Sequence, residues 1–253
     1  MLKTNLLFVL TLLLIPSSSL AEEKSYSSKG QIDFVQGDDV VSPIDPENPD
    51  PDHSVVPWDP TNPDGHANIG TQGPLSIDYV SSFDFGANEI SNQDTIYYAN
   101  PQYYFNEDGT QKSEAIKKPN YVQISDFRGN NSGWCLTVKQ SKQFTNNKTK
   151  NSMLIGAQVS LLNSQATSYI EEEDQIPEVN DIKLEPGETR IVMKANSGQG
   201  TNTWINSWNP IEILEDGVVK NTGIQLFIPG ATPKDSVKYT TEFIWTLSDI
   251  PFE

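Results

Sequence analysis

Trp134-Cys135-Leu136-Thr137-Val138 and Phe243-Ile244-Trp245-Thr246-Leu247 each place a large apolar side chain at every second position. In a strand, residues two apart share a face, so each stretch forms one apolar stripe. The same period recurs in Leu75-Ser76-Ile77-Asp78-Tyr79, Tyr121-Val122-Gln123-Ile124 and Val159-Ser160-Leu161, and helical periodicity is nearly absent. Turn signals separate the runs: Glu107-Asp108-Gly109, Glu185-Pro186-Gly187 and Glu215-Asp216-Gly217. About ten short strands joined by tight turns predict an all-β antiparallel domain, sandwich or barrel-like.

Outward from these runs the chain divides into four parts. Residues 1–21 read as a secretory signal peptide, with Lys3, an apolar run from Leu6 to Ile15, and small residues before a cut after Ala21. Residues 22–37 are an N-terminal segment in which Gly30-Gln31-Ile32-Asp33-Phe34-Val35 alternates like an edge strand of the main domain. Residues 38–68 are acidic and Pro-rich, with seven prolines between Pro43 and Pro63, eight acids between Asp38 and Asp64, and no Lys or Arg. That composition predicts a self-repelling spacer or surface loop, in which Trp58 either docks on the domain or stays in solvent. Residues 69–253 are the β-domain.

The apolar run of the leader is about half of the ~20 residues that span a bilayer, and no second run of that length follows, so direct membrane insertion is not expected. Loss of the leader removes Lys3 and no acid, taking the net charge from −17 to about −18. Nucleic acid is therefore an unsuitable partner, charge does not attract the chain to anionic wall polymers unless divalent cations bridge the two, and wall affinity is expected from shape, stacking and hydrogen bonds. Cys135 is the only cysteine, which excludes an internal disulfide and, lying far from the cut, a lipidated N-terminus. The terminal Pro251-Phe252-Glu253 carries no apolar tail, so covalent sorting to a wall is not expected either. Retention at a cell surface would then require non-covalent binding.

Two roles are open for the stripes that contain Trp134 and Leu136, and Trp245 and Leu247. They are core, since a buried Trp supplies much of the packing in a β-domain, or they line a groove that offers flat indole faces to sugar rings. Trp204 and Trp208 stand among Gly, Asn, Ser and Thr, a loop-like composition, and are candidates for exposed contacts or for a lid on the core. Tyr97, Tyr98, Tyr103 and Tyr104 are weaker candidates of the same kind.

The two tripeptides with their flanks, from Gly133 to Val138 and from Tyr239 to Pro251, resemble the paired motifs of the WxL family of Gram-positive surface proteins. The likeness extends to Gly73-Pro74-Leu75, Phe83-Asp84-Phe85-Gly86, Pro119-Asn120-Tyr121-Val122-Gln123 and Asp126-Phe127-Arg128-Gly129. The resemblance implies export by low-GC Gram-positive bacteria and non-covalent attachment to peptidoglycan at the cell wall. It also implies work in complexes with other exported surface proteins, including a membrane-anchored companion. Cys135 departs from the residue more common at the middle of the first motif.

Enzymatic function is not expected. The run Glu171-Glu172-Glu173-Asp174 lies in a polar stretch of solvated character, and His53 and His66 both fall in the Pro-rich segment, where nothing holds an imidazole against a nucleophile. Zinc lacks its ligands and spacing. Asp59, Asn62 and Asp64 resemble an oxygen-rich loop, but without EF-hand spacing or a closing Glu, so no metal or other cofactor is expected.

Overall fold

The computed structural model of the protein describes residues 24–249 except positions 107 and 171. The expected leader and the residues after Asp249 lie outside the described residues. The chain divides into two units, Met1–Phe34 and Val35–Glu253. In the first, residues 24–34 carry neither strand nor helix. The edge strand expected over residues 30–35 is not formed: Ile32 is 74% exposed, Phe34 88% and Val35 92%. Alternation gives a segment a face, but a strand also needs a partner edge for its backbone groups.

The second unit is built of antiparallel strands, and its one helical element among the described residues is a 3₁₀ turn, Glu173–Gln175. One sheet has the order β2 (Leu75–Val80), β5 (Tyr121–Asp126), β12 (Asn202–Trp208) and β8 (Ser164–Thr167). A second runs β15 (Phe243–Ser248), β6 (Trp134–Gln140), β11 (Thr189–Ala195) and β9 (Glu178–Val179). A third runs β10 (Ile182–Leu184), β7 (Gln158–Leu161), β14 (Val219–Ile228) and β13 (Ile211–Ile213), with β3 (Thr95–Ala99) also on β14. A two-stranded ribbon joins β1 (Pro57–Trp58) to β4 (Tyr103–Tyr104). The Glu215–Gly217 turn signal falls in the antiparallel β13–β14 hairpin, and Glu185–Gly187 falls where the chain leaves β10 of the third sheet for β11 of the second.

The main core is a single cluster. It holds Val122 and Ile124 of β5, Trp204 and Trp208 of β12, and Trp134, Leu136 and Val138 of β6, together with side chains of the third sheet. Each fully buried indole removes some 150–250 Å² from water, about 4–6 kcal/mol of gross driving force. The three buried tryptophans therefore dominate the interior of this sandwich-like assembly.

The first sheet is covered on its other face as well. Tyr79, Tyr121 and Ile205 pack there against Ile44, and Ser76, Asp78, Gln123, Ser125 and Thr203 form a buried polar layer beside them. The Pro-rich residues 38–68 are not a free spacer: they form a surface loop, most of it exposed, strapped over this face. Ile44 N–H donates to Gln123 Oε1 at 2.9 Å, Gln123 Nε2 donates to Ser42 O at 3.1 Å, and Thr167 Oγ1 donates to Pro46 O at 3.1 Å.

The acids of the strap explain how it folds. Asp45, Asp50, Asp59 and Asp64 each accept the backbone N–H two residues on, so four of the charges make turns. Lys118 supplies the missing cation, 2.9 Å from Asp45 and 2.8 Å from Glu47. Burial alone would lower the Lys118 pKa, but those two carboxylates more than offset it and hold it above the usual lysine value. Trp58 docks, tilted against Phe105 at 4.9 Å, with Gly65 so close that a Cβ there would meet the indole at 2.5 Å.

Candidate functional site

The two Trp-x-Leu motifs lie on neighbouring strands. β15 pairs with β6 in a register that sets Trp245 beside Val138 and Leu247 beside Leu136. Cross-strand partners point to the same side of a sheet, so the two stripes merge into one apolar surface.

Their surroundings differ. β6 is flanked by β15 and β11, and Trp134, Leu136 and Val138 are fully buried. Trp134 Nε1 donates to Gly200 O at 2.9 Å, which satisfies the indole from the loop after β11. Gly133 precedes it at φ +76°, with Ala195 O only 2.3 Å from where a Cβ would stand; Gly200, at φ +73°, is as tightly confined. Arg128 completes the clasp, donating to both carboxylate oxygens of Asp126 at 2.9 and 2.7 Å and to Gly133 O at 2.7 Å. The proximal motif is thus core, locked by backbone that only glycine fits.

β15, by contrast, is the last strand of its sheet among the described residues, and Phe243, Trp245 and Leu247 are half-buried. Trp245 lies 6.0 Å from Trp208, and Phe83 meets Trp208 edge-on at 5.8 Å and Phe243 at 5.4 Å. The distal motif is half core and half surface.

Trp204 and Trp208 are not exposed contacts, correcting the expectation from their loop-like surroundings. Both are on β12 and buried to 1% and 0%. Thr203 and Ser207 are tolerated on β12 because they lie on its other face, where the Ser125 and Thr203 hydroxyls are 2.8 Å apart; Asn206, buried between Trp204 and Trp208 on the core face, makes no side-chain hydrogen bond among the described residues. Of the tyrosines, Tyr104 is buried, Tyr97, Tyr98 and Tyr103 are half-buried, and Tyr103 carries Lys112 Nζ 4.0 Å above its ring.

Composition did not reveal a groove of about 700 Å³ beside the distal motif. One wall is formed by residues 83–90 and the other by residues 234–243, over a floor that includes Phe144, Leu154 and Leu226. The first wall is fixed by Asp84, which accepts Gly86 N–H at 2.9 Å and Asn100 Nδ2 at 2.8 Å. The second is fixed by Asp235, which accepts Asn151 N–H at 2.8 Å, Asn151 Nδ2 at 2.7 Å and the Thr149 hydroxyl. Those bonds, led by that from Thr149, hold the Asp235 carboxyl below the usual range. Lys234 ties the walls together, donating to Ser91 O at 3.0 Å, Thr232 O at 2.9 Å and Pro229 O at 3.3 Å. Ile90 and Val237, on opposite walls, are 59% and 43% exposed. Phe83 and Phe85 are the one sequence signal for this groove, and they stand out only as part of the family likeness.

Beneath the strap, Asp78 accepts Ser76 Oγ and Ser125 Oγ at 2.6 Å each and Gln123 Nε2 at 2.9 Å. Burial raises its pKa to about 6, against the opposing pull of those three donors. Of the oxygen-rich loop, Asp59 and Asp64 cap turns, with Asp59 also taking the hydroxyls of Thr61 and Ser82, and Asn62 Nδ2 donates to His66 O at 2.6 Å. Among the described residues no group of three or more His, Cys, Asp or Glu side chains is placed to hold a metal ion, and no helix is long and apolar enough to cross a membrane.

No curated protein and no solved structure matches the chain. A family model does, over residues 21–251, and its description is WxL domain, surface cell wall-binding. The match spans the strap, both Trp-x-Leu strands and both walls of the groove, and the chain belongs to the WxL family of surface cell wall-binding domains.

Proposed function

We propose that the protein is a non-enzymatic module of a cell-surface complex that binds peptidoglycan, through glycan or stem peptide, in the groove beside the distal motif. The observation that carries this reading is the groove itself: an aromatic and aliphatic floor, exposed Ile90 and Val237 on its walls, and contact with β15 through Phe243. Aromatic faces suit sugar rings and apolar peptide side chains, while the polar rim supplies orienting hydrogen bonds. Asp84 and Asp235 are committed to holding the walls, which favours binding over carboxylate chemistry. Export by a signal peptide in residues 1–21 belongs to the same reading.

Co-sedimentation with isolated, teichoic-acid-free peptidoglycan tests it. The wild type should pellet with the wall, Ile90→Asp and Val237→Asp should lose most of that binding with melting unchanged, and Ile213→Asp, on exposed β13, should behave as wild type. A wild type that stays in the supernatant removes direct wall binding. The account then passes to a second reading, in which the chain docks a membrane-anchored companion and is held at the wall indirectly. The half-exposed apolar stripe of β15, an end strand of its sheet among the described residues, favours that alternative.

A further inference from the structure

Asp84, Asn100 and Lys220 meet at one corner of the third sheet, where the ladder between β3 and β14 is interrupted. Asn221 pairs with Ala99 and Gln225 with Tyr98, so the register shifts between the two pairs. Lys220 Nζ donates to Asn100 Oδ1 at 2.7 Å. Asn100 Nδ2 donates in turn to Asp84 Oδ2 at 2.8 Å, and Asn100 N–H donates to Asp84 O at 2.7 Å. An amine, a carboxamide and a carboxyl from three distant positions of the chain thus stand in one line.

A half-buried lysine is usually matched by a carboxylate, as Lys118 is. Lys220 is in no ion pair among the described residues. Glu212, opposite it on β13, takes the Thr222 hydroxyl at 2.7 Å, and Asp84 directs one oxygen to Asn100 and the other to Gly86 N–H. Burial holds the Lys220 pKa below the usual lysine value, against the pull of Asp84 and Asp216. Gly86 covers the pair, since a Cβ there would stand 3.4 Å from Lys220 Nζ and 3.9 Å from Asn100 Nδ2. A neutral amine is a nucleophile, and the carbon it would attack lies one C=O bond, about 1.2 Å, beyond the oxygen it already touches. Holding the two groups in contact removes much of the entropic barrier to their reaction.

We propose that Lys220 and Asn100 join in a covalent isopeptide bond once the chain has folded, with Asp84 carrying the proton. The Lys220 Nζ lone pair forms the bond to Asn100 Cγ, and the Cγ–Nδ2 bond breaks. Nδ2 leaves as ammonia, taking up a proton that Nζ gives up and that the Asp84 carboxyl, in contact with Nδ2, hands across. One amide replaces another, so no oxidant, metal or further reactant enters. The reaction occurs once per chain and is not turnover of a substrate. The bond closes a span of 120 residues and ties β3 to β14 beside the break in their ladder. Such a tie limits the unfolded chain as a disulfide would, in a protein whose single cysteine can form none internally. It stands apart from wall binding and does not depend on it.

Mass spectrometry of the folded chain tests the proposal. Wild type should be lighter than its sequence by one ammonia, and a tryptic digest should yield one branched peptide that joins the segments holding Asn100 and Lys220, uncut at Lys220. Lys220→Arg, which keeps the positive charge but is no nucleophile, should have the full mass and melt below wild type. Asp84→Asn, folded by circular dichroism, should give little or no branched peptide. A folded wild type at its full sequence mass, or an ammonia loss that persists in Lys220→Arg, overturns the proposal. A branched peptide of undiminished yield in Asp84→Asn overturns the part assigned to that carboxyl.

Discussion

Trp134 and Trp245 share a tripeptide pattern and stand on adjacent strands of one sheet, yet the first is sealed in the core and the second is half-exposed. Strand order accounts for the difference. β6 has a neighbour on each side and a glycine-lined clasp over its leading indole, whereas β15 is an end strand of its sheet among the described residues. A motif fixes which side chains share a face, and position in the sheet fixes how much of that face water can reach.

Substitutions at the two motifs should therefore separate cleanly. The largest effect is expected from Trp134→Ala, which empties an indole-sized site and strips Gly200 O of its donor: a loss of about 3–5 kcal/mol, read as a lower urea midpoint and, at the upper end, failure to fold. Next comes Gly133→Ala, which costs about 1–3 kcal/mol from the positive φ alone, plus the clash with Ala195 O. An alanine there that melts like wild type would break the claim that this backbone holds the proximal motif.

Trp245→Ala should cost less, about 1–2 kcal/mol, because part of its surface is wet in the folded state. The variant should remain folded by circular dichroism. Equal losses at the two tryptophans would erase the distinction drawn here.

Acidity acts on the interior and spares the edge. Asp78 holds its proton up to about pH 6 in the folded chain, whereas an unfolded aspartate releases it near pH 4. The protonated carboxyl thus favours folding: its contribution is complete below the unfolded value and is lost as pH rises through about 6. Lowering pH from 7 to 5 should add about 1 kcal/mol to stability, by urea melts at the two pH values, and Asp78→Asn should remove that part of the dependence. A gain of the same size in Asp78→Asn would place the titrating group elsewhere.

Much of the sandwich is legible in the sequence, because alternation survives wherever one face of a strand is buried. Leu75, Tyr121, Trp134 and Phe243 each begin a run that proves to be a strand. β12 is not legible in this way, since Thr203 and Ser207 look like loop residues until the strap and β5 are in place around them. The strap hides behind its own charge, because nothing local announces that Asp45, Asp50, Asp59 and Asp64 cap turns while Lys118 waits more than fifty residues downstream. Residues 30–35 err in the opposite direction, alternating without a partner among the described residues. The groove is hardest of all, because its walls come from residues 83–90 and 234–243 and no local pattern signals that they meet.

Native-state amide hydrogen exchange on dilute protein, resolved residue by residue along β6 and β15, tests the contrast between the two motifs most directly. The account predicts that Trp134–Gln140 exchanges only through global unfolding, while Phe243–Ser248 alternates, its inward amides protected and its outward amides fast. Protection as uniform in β15 as in β6 would contradict it, for the distal motif would then be as enclosed as the proximal one.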